Sequence, residues 1–228
     1  MTAASPLRIL AVDVGGSHVK ILLSGQQKPR RADSGPQMTA EQMVEAVKRL
    51  AEGETWDRVS IGIPSPVHGG RVVTEPVNLG DGWVGYDFAA AFDSPVRVVN
   101  DAAMQALGSY EGGTMLFLGL GTGLGSALVA GGVVQPMELG HLPYRKGTYE
   151  DYVAEAALKR RGKKRWRRDV AEVIATLAAA VEPDYVVLGG GNASKLDVLP
   201  PTCRRGDNQN AFVGGFRLWD DDPPARIL

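Results

Sequence analysis

Residues 7–24 read LRILAVDVGGSHVKILLS. An apolar, β-branched run over 7–14 carries Asp13 near its end, turns through Gly15-Gly16-Ser17 and resumes over 18–24, the pattern of strand, glycine turn, strand. Residues 114–130, TMLFLGLGTGLGSALVA, repeat that order: a strand at 114–120, a turn at Gly121-Thr122-Gly123, a second strand at 124–130. Two such units, each opening an α/β half, predict two lobes whose glycine turns face a common cleft. The division is expected at 1–107 and 108–228, with the C-terminal helix, about 208–228, free to pack back on the first lobe.

Between these units the apolar spacing fills in the rest. Met43, Val44, Val47 and Leu50 recur at helical intervals within 39–52, with Thr39 as N-cap. Strands are expected at 58–63, 96–99, 133–136 and 185–188, an extended piece at 71–74, and helices at 86–92, 101–110, 150–161, 166–181 and 208–219. Gly189-Gly190-Gly191 makes a third turn.

Composition narrows the function classes. The 228 residues are 44% hydrophobic and 22% charged, which excludes wholesale disorder. No apolar run reaches the roughly 18 residues of a membrane span, and residues 1–6 carry no basic signal region, so a cytoplasmic protein without membrane partners is expected. A lone Cys203 excludes an internal disulfide framework. The net charge of −1 conceals a segregation: residues 159–168, KRRGKKRWRR, hold eight basic side chains, leaving 17 basic against 26 acidic elsewhere. Such a patch attracts a polyanion, or else forms an ordinary solvated helix face.

Asp13 beside its turn sets a carboxylate next to outward-facing backbone N–H groups, a place for phosphate and for Mg²⁺ held directly or through water. Gly121-Thr122-Gly123 offers the same donors from the second half. No G-x-x-x-x-G-K-[ST] occurs and no glycine cluster has the dinucleotide spacing, so neither a P-loop nor a Rossmann site is expected. Asn100-Asp101 lies at a strand-to-helix junction, where side chains face the crevice of an open sheet, although Asp101 is also a suitable helix cap. Glu138-Leu139-Gly140-His141 supplies further acceptors and donors. With Trp83 nearby, these groups suit a polyhydroxylated ligand better than a metal.

The ordered set Asp13-Val14-Gly15-Gly16-Ser17, Ile61-Gly62-Ile63-Pro64, Asn78-Leu79 with Trp83-Val84-Gly85, Val99-Asn100-Asp101-Ala102, Leu120-Gly121-Thr122-Gly123-Leu124-Gly125, Glu138-Leu139-Gly140-His141 and Gly189-Gly190-Gly191-Asn192 resembles the ROK sugar kinases. The polyphosphate-using glucokinase branch is closest in appearance. The resemblance spans residues 7 to about 192. It implies the two-lobe actin-like, ribonuclease H-like fold with an interlobe active site, usually in a homodimer. It also implies that Asp101 is the general base toward a sugar 6-hydroxyl, with Asn100, Glu138, His141 and Glu150 as sugar ligands. Phosphate would meet Gly15, Gly16, Ser17 and Lys20 on one side and Gly121, Thr122, Gly123 and Gly190 on the other, with Asp13 toward Mg²⁺.

Two departures from the family pattern refine this. The cysteine cluster that binds zinc in many members is missing after His141, so no zinc is expected. Only 16 residues separate Gly191 from Asn208, where the family has a longer cover over the nucleotide base. The expected reaction is therefore phosphoryl transfer from inorganic polyphosphate, with ATP as a further donor, to the 6-hydroxyl of glucose. Lys163, Lys164, Arg165, Arg167 and Arg168 would form the polyphosphate track, with Arg204 and Arg205 extending it. The alternatives are a strictly ATP-dependent kinase of glucose, N-acetylglucosamine or mannose, and a non-catalytic sugar-binding protein. Nucleic acid is a poor fit, because Trp166 alone gives little aromatic interleaving.

Overall fold

In the computed structural model, which describes residues 6–207, 209–220 and 226–227, the opening unit forms as β1 (Ile9–Val14) and β2 (His18–Leu23), antiparallel, with Asp13 opposite Lys20. There follow β3 (Arg30–Asp33), α1 (Ala40–Leu50), β4 (Arg58–Ile63), β5 (Val67–His68), β6 (Arg71–Val72), α2 (Phe88–Phe92), β7 (Val96–Asn100) and α3 (Asp101–Ser109). The second half holds β8 (Thr114–Leu120), β9 (Leu124–Ala130), β10 (Val133–Met137), β11 (Pro143–Tyr144), β12 (Gly147–Thr148), α4 (Glu150–Val153), α5 (Glu155–Arg161), α6 (Lys163–Val181), β13 (Tyr185–Gly189), β14 (Cys203–Arg205), α7 (Asn210–Arg217) and β15 (Arg226–Ile227).

The first sheet runs β3-β2-β1-β4-β7 and the second β14-β13-β8-β9-β10-β15. Read from β10, the second sheet repeats the first: an antiparallel meander of three strands continues into two parallel ones. Each glycine turn joins the first two strands of its meander in chain order, β1 to β2 and β8 to β9. Thr39 caps α1 in a reciprocal box with Gln42, and the helix lays Met43, Val44 and Val47 on the first sheet. Leu116, Leu118, Val170, Val173 and Leu177 join the second sheet to α6, while Met115, Phe117 and Val129 on its other face meet α3.

Several elements differ from expectation. Strand β3 reads RRAD and pairs on β2 without any apolar alternation, and β14 is likewise recruited by its neighbour. The single helix expected over 150–161 breaks at Ala154 (φ −69°, ψ 172°), because the Glu155 N–H donates to Gly121 O at 2.9 Å instead of continuing the helix. The next helix begins at Lys163 rather than 166, and Gly162 (φ 76°) separates it from α5. The basic run is thus shared between two helices. Of the C-terminal stretch expected as helix, α7 occupies Asn210–Arg217, whereas Asn208, 221–225 and Leu228 lie outside the described residues.

Helix α7 crosses α3 with almost no side chain between them. A Cβ on Gly108 would stand 1.8 Å from Asn210 O, and one on Gly214 would stand 1.8 Å from Met104 O. From there α7 reaches the first sheet: Ser60 Oγ donates to Gly215 O at 2.6 Å, and Trp219 Nε1 donates to Ser60 Oγ at 2.8 Å.

Candidate active site

Strand β1 is buried along its length and delivers Asp13, 7% exposed, beside the first turn. Cross-strand pairing sets Lys20 Nζ 3.0 Å from Asp13 Oδ2. Gly15 N–H closes the turn on His18 O at 2.9 Å, and Asn78 packs so closely over Gly16 that a Cβ there would lie 3.1 Å from its own. The second turn closes in the same way, Gly121 N–H donating to Gly123 O at 3.1 Å. In both turns the first glycine spends its donor internally. The N–H groups of Gly16, Ser17, Thr122 and Gly123 have no partner among the described residues. None of these glycines has positive φ, so it is the absence of a side chain that matters here.

Gly190 does need its conformation. At φ 78° it backs onto β8, where a Cβ would lie 2.5 Å from Leu120 O, so it supports the second turn from behind. Asn192 completes that support with N–H to Leu120 O at 3.0 Å and Nδ2 to Gly121 O at 3.3 Å. Lys195 Nζ donates to Asn192 Oδ1 at 2.7 Å, a cation beside the second turn that sequence reasoning missed. Its only signal was the three-residue step from Asn192.

At the β7–α3 junction the cap is Asn100 rather than Asp101. Asn100 Oδ1 accepts from Ala102 and Ala103 N–H at 2.9 and 3.1 Å, and its Nδ2 donates to Ser65 O at 3.3 Å. Asp101 holds one oxygen against the Ala102 N–H at 2.8 Å. Burial pushes its carboxyl up to about 7, and the charges of Asp13 and Glu138 add to the shift while the Ala102 N–H opposes it. The carboxyl therefore titrates well above the ordinary range. Gly125 sets β9 directly against α3, a Cβ there falling 2.9 Å from that of Ala102, which brings the second turn beside Asp101.

The Glu138–His141 segment forms a short 3₁₀ turn, with Glu138 Oε2 4.0 Å from His141 Nδ1 and both side chains more than half exposed. Burial raises the Glu138 pKa, His141 pulls it back and Glu150 raises it further. Glu150 accepts the Leu124 N–H at 2.8 Å, and its carboxylate fills the space in front of Gly123, where a Cβ would meet it at 2.4 Å. Asp13, Asp101, Glu138, His141 and Glu150 thus belong to one cluster with the two turns. Trp83 does not, because it is fully buried beside Phe88 in the first-sheet core and offers no ring face to a ligand.

The basic run divides by role. Arg161 pairs with buried Asp169, Lys159 with Glu155, and Lys163 and Arg167 with Asp197. Lys164, Arg165 and Arg168 are exposed and have no ion-pair partner among the described residues. Arg204 and Arg205 turn elsewhere, to Glu111 with Ser109 O and to Leu196 O respectively.

Among the described residues no three His, Cys, Asp or Glu side chains converge as metal ligands, and no helix is long and apolar enough to cross a membrane. Asp13 nevertheless fits a Mg²⁺ that arrives with phosphates, since that ion usually takes one or two carboxylates and completes its shell with phosphate oxygens and water. Its Oδ1 has no protein partner among the described residues.

The profile of the ROK family matches residues 9–167. A polyphosphate glucokinase of Mycobacterium tuberculosis is 28% identical over 214 residues, covering 83% of this chain and 80% of that protein. The inorganic polyphosphate/ATP-glucomannokinase of Arthrobacter sp. strain KM superposes with a TM-score of 0.80 at 23% identity, covering 92% of this chain and 97% of the other. A ROK family glucokinase of Streptomyces griseus, solved with glucose and AMPPNP, gives 0.74 at 19%, covering 91% and 97%. The two repeated sheets are the halves of the two-lobe actin-like fold.

Proposed function

The chain belongs to the ROK family, and from that premise we propose that it is a sugar kinase transferring a phosphoryl group from inorganic polyphosphate, with ATP as a further donor, to the 6-hydroxyl of glucose. One observation carries the reading: Asp101, a carboxyl titrating at about 7, stands beside the second of two turns with free N–H groups and is grouped with Glu138 and His141.

Phosphoryl transfer passes through a loose transition state, so the protein has mainly to position reactants and neutralise charge. Asp101 accepts the proton of the attacking hydroxyl. Glu138 and His141 take neighbouring hydroxyls, while Asn100 acts through its cap and its bond to Ser65 O, which hold Asp101 in place. Glu150 takes part through the second turn, whose Leu124 N–H it holds. Gly16 and Ser17 on one side and Thr122 and Gly123 on the other donate to phosphate oxygens, and Lys20 adds its charge. Mg²⁺, held by Asp13, would neutralise phosphate charge there. In this reading the lobes divide near residues 107 and 108.

The donor assignment rests on Lys164, Arg165 and Arg168, which are left free on the α6 surface, and on the Mycobacterium relative. The test is glucose 6-phosphate formation with Mg²⁺, with polyphosphate and ATP as separate donors at two salt concentrations, for the unmodified protein and a Lys164, Arg165, Arg168 to Gln variant. Turnover on polyphosphate that falls with salt, and a KM for polyphosphate that rises in the variant while that for ATP holds, is the expected result. Turnover on ATP alone would make the chain a strictly ATP-dependent hexose kinase and return the basic residues to a solvated face.

A further inference from the structure

Strands β11 and β12 form a two-stranded hairpin inserted between two parts of the site, leaving His141 and returning at Glu150. With two residues per strand its own ladder is too short to hold a fixed orientation. Something else must anchor it.

The anchor is at its tip. Arg145, held at φ 54°, reaches across to α6 and donates through Nη1 to Asp169 Oδ1 at 2.9 Å and through Nη2 to Glu172 at 2.7 Å. The Asp169 side chain is 0% exposed, and its other oxygen accepts from Arg161 Nε, at the end of α5, at 2.7 Å. Three tyrosines close over the triad. Tyr144 packs on Tyr149 and Tyr152 at centroid distances of 5.1 and 5.0 Å, Arg145 lies 4.7 Å over Tyr144, and Arg161 lies 4.7 Å over Tyr152. Helix α6 is itself fixed to α4, Trp166 Nε1 donating to Val153 O at 2.7 Å.

A carboxylate taken wholly out of water and bonded to two guanidinium groups contributes little net stability, but it permits very few geometries. We infer that the Arg145–Asp169–Arg161 triad is a positioning device for the sugar-facing wall, setting Glu138 and His141, which lead into the hairpin, while Glu150 stays seated by its bond to the Leu124 N–H and by the α4–α6 contact. Arg161, although it lies within the basic run, then serves the sugar end of the reaction and not the phosphate donor. Asp169, Arg145 and Arg161 are positioning residues and touch no reactant.

This inference rests on the sugar-kinase reading, and the experiment separates the two. Asp169→Asn removes the buried charge with little change of shape, and Arg145→Gly, at the partly exposed tip, relieves the positive φ while deleting the guanidinium, so a folding failure in the first leaves the second. Both are compared with the unmodified protein by KM for glucose, KM for donor, and amide hydrogen exchange. Exchange should quicken across 138–149, and KM for glucose should rise about tenfold, as expected for misplaced binding groups, with the donor KM unchanged. Unaltered exchange there, or equal shifts in both KM values, overturns the proposal. If the unmodified protein binds no hexose, the kinase reading fails instead; the exchange arm still decides the tether, faster exchange confined to 138–149 supporting it and unchanged exchange overturning it.

Discussion

Asp101 has an acid–base consequence that can be measured in two ways. A base must be ionised to accept a proton, so with the carboxyl at about 7 the kcat/KM should climb as pH rises through 7 and level off above it. Glu138→Gln, by removing one of the charges that hold this value up, should move that limb to lower pH. Stability runs the other way. A carboxyl whose folded pKa exceeds its unfolded value binds its proton more tightly in the native state, so stability falls as pH rises from about 4 to 7. Asp101→Asn should therefore abolish turnover and yet melt higher than the unmodified protein at pH 8, with calorimetry reading the second effect. Residues 99–102 already pointed to this side chain. What they could not reveal was the exchange of roles, since Asn and Asp are equally good caps and only the fold assigns the cap to Asn100.

Among elements, the two glycine turns were readable from sequence because strand, turn and strand recur in both halves. The turns also yield a clean substitution. A Cβ on Gly121 meets nothing within 4 Å, and its φ lies outside the left-handed range. Gly121→Ala should leave the melting temperature unchanged while raising the KM for the phosphate donor, since the methyl group would intrude only on what the turn receives. Equal loss of stability and affinity would mean that the turn is structural. Elements defined by partners rather than by their own pattern stayed hidden. Strand β3 has no apolar periodicity and forms because β2 offers it an edge. The break at Ala154 follows from a hydrogen bond to a residue more than thirty positions earlier, Gly121, which no local propensity records.

At the scale of the whole molecule, the duplicated sheets explain why two lobes could be expected from the glycine turns alone. That the C-terminal helix could return to the first lobe was also expected, but the residues that seat α7 were not legible, since its partners α3, β1 and β4 are remote in sequence. Gly214→Ala tests that seat: with backbone 1.8 Å from the new Cβ, the helices must part, at a cost of about 3 kcal/mol. A fall in melting temperature of roughly 6–12 °C is the expected reading. The crossing also has a consequence for biosynthesis. The bond from Ser60 to Gly215 spans 155 residues. At roughly 5–20 residues per second, a ribosome needs roughly 8–30 s to supply that distance. Until α7 emerges, the face of the first sheet that carries Ala11 and Leu22 has no cover, and α3, complete by Ser109, lacks its neighbour. Apolar surface left bare during synthesis is prone to aggregate, and here its cover is among the last parts of the chain to be made.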